Sequence, residues 1–137
     1  NTQSGIYYMN KASGNIKGYN VKSSNSLYGI EIESSEISVA DCIIENNPLA
    51  GIGVRADSIV NFENVESINN QKDGFHIDSS EVTIKNSSIS DNKRYAIITF
   101  DSVINLISVT MENNEAGNIL NRDDSSTINM SDAILYR

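Results

Sequence analysis

The side chains able to do chemistry gather in a few short stretches. His76 is the only histidine in 137 residues, and Asp78 stands two positions beyond it. Arg55 lies one repeat before this pair, Glu31 and Glu33 one repeat before that, with Tyr7 and Phe100 beyond on either side. An imidazole and a carboxylate can exchange a proton. A guanidinium can hold a hydroxyl or a carboxylate, and aromatic rings can stack on sugar rings. His76, Asp78 and Arg55 are therefore the candidate catalytic residues. Tyr7, Glu31, Glu33, Arg55, His76, Asp78 and Phe100 together form the candidate ligand-binding set. The competing reading is a solvated strand face on which Glu33, Arg55 and Asp78 alternate in sign. Such cross-strand pairs contribute about 0.2–1 kcal/mol each.

These residues come together only if the chain repeats. Gly5, Gly29, Gly51, Gly74, Ala96 and Gly117 are spaced 24, 22, 23, 22 and 21 apart. A fixed period in this range marks a solenoid. Ile6, Ile30, Ile52, Phe75 and Ile97 follow the small residue, and Tyr8, Ile32, Val54, Ile77 and Thr99 follow two places later. That period-two spacing belongs to a strand with one buried face. After an Asp/Ser turn come Ile16, Ile37, Val60, Val82 and Ile104, then Gly18, Val39, Phe62, Ile84 and Leu106. A polar bend follows at Asn20, Asp41, Asn64, Asn86 and Ser108, and then Ile44, Ile68, Ile89 and Met111. The runs are too short and too β-branched for helices, and the Leu-x-x-Leu-x-Leu skeleton of leucine-rich repeats is missing.

The expected fold is all-β: a parallel β-solenoid of about six turns of 21–24 residues, three short strands per turn. A right-handed wind follows from the handedness of parallel crossovers. Residues 1–137 read as a single β-helix domain, expected to be a segment of a longer solenoid or to stack end to end with more β-helix. The corner residues Asn25, Asn46, Asn70, Asp91 and Asn113 are expected to form a side-chain ladder between turns. The third turn is the longest interior one, and its extra residue is expected as a bulge at Glu63-Asn64-Val65-Glu66. Cys42, the single cysteine, aligns with Val21 and Val109 as a core residue.

Composition narrows the partners. A net charge of −8 disfavours nucleic acid and anionic membranes, and no apolar run reaches the length of a membrane span. No metal site is expected. Ca²⁺ is the one cofactor suggested, by the acidic turn residues Asp57, Asp78, Asp101, Asp123 and Asp124, although Asp-Ser is also ordinary turn vocabulary.

The runs Gly-Ile-x-Ile-x-x-Ser and Ser-x-Val-x-Ile-x-Asn, with the corner Asn, resemble right-handed parallel β-helix repeats of the pectin-lyase-like superfamily. The resemblance spans nearly the whole chain and implies a secreted, cell-surface or virion-surface protein associated with polysaccharide. It implies a rigid scaffold with a glycan-binding face, non-catalytic in this segment. The alternatives are a polysaccharide lyase, hydrolase or epimerase with its site on the outer first-strand face, and a purely structural adhesin stalk or phage tailspike shaft. Asn70-Gln71-Lys72-Asp73-Gly74 resembles the Asn-Thr-Asp-Gly run of polygalacturonases with one residue inserted. Their Asp-Asp pair one turn on is replaced by Lys93-Arg94, and their Gly-His-Gly and Arg-Ile-Lys runs are missing. The Asp-Pro-His-Glu cluster of alginate epimerases is missing too, the lone proline being Pro48. Neither activity transfers.

Overall fold

A computed structural model describes residues 4–18, 20–22 and 27–136. The strands in chain order are β1 (Ser4–Tyr8), β2 (Ser13–Lys17), β3 (Asn20–Lys22), β4 (Tyr28–Glu33), β5 (Glu36–Glu45), β6 (Ile52–Arg55) and β7 (Ile59–Ile68). They continue with β8 (Phe75–Asp78), β9 (Glu81–Ser90), β10 (Tyr95–Phe100), β11 (Val103–Glu112), β12 (Gly117–Asn121), β13 (Thr127–Ser131) and β14 (Ile134–Leu135). One sheet runs β1-β4-β6-β8-β10-β12; the other runs β2-β5-β7-β9-β11-β13, with β3 beside β5 and β14 beside β11. Every pairing is parallel. The chain is an all-β parallel solenoid of about six turns. Among the described residues, no helix is long and apolar enough to cross a membrane.

Each turn has three runs because the backbone bends at three polar corners in the left-handed region. Asp41, Asn64, Asn86 and Ser108 have φ of 56°, 53°, 50° and 53° and bend β5, β7, β9 and β11 at mid-length. Asn, Asp and Ser tolerate this conformation because their short side chains bond locally. The second and third runs of each interior turn thus remain one bent strand in one sheet.

The core is columnar. Ile30, Ile52, Phe75 and Ile97 are fully buried, as are Val82, Ile84, Ile104 and Leu106. Burying each such side chain stabilises by about 1.5–3 kcal/mol. Phe62 and Phe75 meet edge to face at 5.1 Å. Cys42 is buried and lies opposite Val65 in a column that Val109 continues. Val21, by contrast, pairs with Ile44.

Several columns differ from the sequence expectation by one or two residues. In the first turn, Gly14 pairs with Ile37 and Ile16 with Val39, so Gly18 rather than Asn20 is the bend. A β-carbon on Gly14 would lie 3.6 Å from the Tyr8 ring, which occupies the place of the missing side chain. Gly117 pairs with Tyr95 rather than Ala96. The expected bulge at Glu63-Asn64-Val65-Glu66 is not there: Glu63 faces Lys85 and Glu66 faces Ser88 in unbroken register. The extra residue lies between Arg55 and Ile59, since Glu33 pairs with Arg55 but Glu36 with Ile59. Ala56 and Asp57 both take positive φ there, so the corner absorbs the residue without disturbing a strand.

The buried ladder runs through Asn47, Asn70, Asn92 and Asn114. Nδ2 of each of the first three donates to Oδ1 of the next at 2.9, 3.0 and 2.9 Å. The backbone N–H of each donates to the same oxygen at 3.1, 3.0 and 3.2 Å. Of the five expected positions, Asn70 is in the ladder. Asn46, Asp91 and Asn113 are the left-handed corner residues just before it, and Asn25 lies outside the described residues. The offset has a physical source. The core column is Ile44, Ser67, Ile89 and Met111, not Ile68, and the ladder stands three residues beyond it. Ser67 is tolerated there because its hydroxyl donates to Gly74 O at 2.9 Å and accepts from Asn70 Nδ2 at 3.2 Å. A second ladder lies at the Asp/Ser turns, where Ser58, Ser80, Ser102 and Ser126 each accept the backbone N–H of the preceding turn's serine.

Candidate functional site

The outer face of the first-strand sheet carries two adjacent columns. One runs Tyr7, Glu31, Gly53, His76, Ile98 and Leu120. The other runs Glu33, Arg55, Asp78 and Phe100. The strands that carry them alternate inward Ile, Val and Phe with these outward residues, so burial of the core fixes which side chains face out.

At the first turns these side chains form one bonded network. Arg55 Nη2 is ion-paired with Glu31 Oε1, and Arg55 Nε lies 3.5 Å from Glu33 Oε2. Tyr7 Oη donates to Glu33 Oε2 at 2.6 Å. Ser4 Oγ donates to the other oxygen of Glu31, which is only 4% exposed. A carboxylate buried that deeply needs this pairing, because an uncompensated buried charge is costly. The hydrogen bond to Glu33 pushes the Tyr7 phenol above its ordinary pKa.

His76 and Asp78 stand one turn further on. With Tyr28, Gly53, Val54 and Arg55 they line a cavity of about 100 Å³. Burial holds the His76 imidazole below its ordinary pKa, assisted by Arg122 and Arg55 and opposed by Asp73 and Asp78. The imidazole is therefore uncharged at neutral pH. A second cavity of about 370 Å³, lined by Tyr7, Leu27, Tyr28, Glu31, Leu49 and Arg55, shares Tyr28 and Arg55 with the first. Together they make a groove along the solenoid axis over β1, β4, β6 and β8.

The fold thus brings Tyr7, Glu31, Glu33 and Arg55 into one network and Arg55, His76 and Asp78 into one cavity. Phe100 lies beyond that cavity and carries the Arg122 guanidinium 5.8 Å from its ring centre. Ser4, Leu27, Tyr28 and Leu49 were not singled out from sequence. Tyr28 had a usable signal: it precedes Gly29 as Tyr95 precedes Ala96, an aromatic at the same corner of two turns. Asp73, in the run resembling polygalacturonases, is buried, and its Oδ1 accepts the backbone N–H of Tyr95 at 3.0 Å, a structural role.

The acidic turn residues do not form one column. The N–H of Asp57 donates to Ser79 O and that of Asp101 to Ser125 Oγ, so serines alternate with the carboxylates, and Asp78 belongs to the strand face. Among the described residues no three His, Cys, Asp or Glu side chains converge as metal ligands would.

No curated protein and no solved structure matches the chain. A family model described as a right-handed beta helix region matches residues 1–132. With parallel pairing throughout and a 22–23-residue register between the paired strands β4, β6 and β8, the chain belongs to the right-handed β-helix family.

Proposed function

We propose that this chain is a rigid, non-catalytic scaffold that binds polysaccharide in the groove over β1, β4, β6 and β8. The observation that carries the reading is the groove itself. Tyr7, Tyr28, Leu27 and Leu49 supply aromatic and aliphatic walls beside the ion-paired Arg55 and Glu31. Apolar walls with a few fixed polar groups are what an oligosaccharide site requires. A location outside the cell or on a virion goes with such a partner. Contact with further β-helix at the C-terminal end belongs to the same proposal. Met130 and Leu135 continue the core columns of Leu106 and Met111 yet are 55% and 38% exposed.

The test is retention on insoluble polysaccharides followed by calorimetry with soluble oligomers of whichever is bound. Binding without new reducing or unsaturated ends, weakened by Tyr28→Ala and Tyr7→Ala, is the expected result. A catalytic reading draws on one observation, the uncharged His76 sharing a cavity with Asp78. Turnover abolished by His76→Ala or Asp78→Ala would replace the scaffold reading with that one.

A further inference from the structure

We infer that the groove takes a neutral sugar residue, packed against the Tyr28 ring that lies over Gly53, and turns away uronates. The inference rests on the glycan-binding reading above and specifies its ligand class. Gly53 sits between Glu31 and His76 in their column and is the only member of it without a side chain. A β-carbon there would lie 3.0 Å from both Cδ1 and Cε1 of Tyr28. The tyrosine ring therefore rests against bare backbone, and ring and glycine together make the notch in which the cavity opens.

Charge sets the selectivity. Glu31 and Asp78 line this groove with Arg55 as its cation, and Glu33 stands beside it as a second partner of the guanidinium. The guanidinium is already engaged by two of those carboxylates. His76 adds no positive charge at neutral pH, because burial outweighs the pull of Asp73 and Asp78. Arg122 is one turn further along, over Phe100, and lines neither cavity. The chain as a whole carries −8. A uronate carboxylate would enter a negative field without an unengaged cation in the notch to receive it. A neutral sugar meets no such penalty. Its hydroxyls donate to Asp78, and its apolar face packs on Tyr28.

The experiment is calorimetric titration of the whole chain with neutral gluco-, manno- and galacto-tetrasaccharides and with tetragalacturonate, each at low and high salt. At least one neutral oligomer should bind with an affinity that salt leaves unchanged. Tetragalacturonate should bind at least about tenfold more weakly and gain on the neutral ligand as salt screens the groove. Gly53→Ala, which displaces the Tyr28 ring, should weaken the neutral ligand about tenfold with an unchanged melting temperature. Uronate binding equal to or tighter than neutral binding, or a Gly53→Ala chain that binds like the parent, overturns the inference. In that case glycan binding in the groove survives. Failure of every glycan to bind removes both.

Discussion

A β-carbon on Gly51 would lie 2.6 Å from Nδ2 of Asn70. That distance ties the glycines of the small-residue column to the amide ladder: the backbone is bare at these positions where the amide of the next turn passes. The same holds for Gly29 against Asn47 and Gly74 against Asn92, at 2.8 and 3.0 Å. Gly51→Ala is expected to destabilise by about 2 kcal/mol through overpacking. Asn70→Ala is expected to cost about 3 kcal/mol, because it strands the backbone and side-chain donors of Asn47 and leaves Asn92 Oδ1 with only the backbone N–H of residue 70. Urea unfolding measures both, and Asn46→Gly, one residue outside the ladder and able to keep its left-handed backbone, is the control that should change little.

Arg55 and Glu31 form the other pair whose loss should be felt. Arg55→Ala leaves Glu31 buried opposite only Ser4. Breaking a buried pair is strongly destabilising, but the Arg55 side chain is 46% exposed. About 1–2 kcal/mol is expected after solvent screening is allowed for. The double variant Arg55→Met with Glu31→Gln should recover most of it in thermal unfolding. A single variant as stable as the parent would show that water compensates Glu31.

His76 should give the fold an acid limb. Its imidazole binds a proton more weakly folded than unfolded, because burial disfavours the charged form. Stability is then complete above the unfolded-state value of about 6.5 and is lost as pH falls through the lower folded value. Melting temperature should drop across that window in the parent chain and drop less in His76→Asn. NMR titration of the imidazole should place its midpoint below that of an unfolded control.

The additional residue in the third turn is a corner feature. Removing Ala56 should therefore shorten the corner to the single left-handed residue seen at Ser34, Ser79 and Asp101. The expected change in melting temperature is about 4 °C or less, since a corner that loses one residue loses no core. Deleting Asn64, the bend of β7, should instead throw Val65 and Ser67 out of register and unfold the domain.

Much of this architecture is legible in the chain because apolar alternation and a 22-residue period are properties of neighbouring residues. The two columns of the candidate site could be read for the same reason, since strand alternation puts Glu31, His76 and Arg55 on the face opposite Ile30 and Ile77. What went astray did so where a residue type did not announce its position. Ser67 sits in the core and Ile68 outside it, so a pattern that follows apolar residues slips the ladder by one. Gly14 holds a core place that Tyr8 fills from another strand, so the first turn slips by two.

Sequence by itself determined the solenoid, its period, its inward columns and its polar corners, all of which follow from local conformational preference and burial. Tertiary structure decided which asparagine enters the ladder, where the extra residue is absorbed, and that Tyr28 lies over Gly53. Those depend on contacts between residues 22–25 positions apart, set by the stacking of one turn on the next. The seven candidate residues resolve, for that reason, into a bonded network at Arg55, a small cavity at His76, and an aromatic ring at Phe100 apart from both.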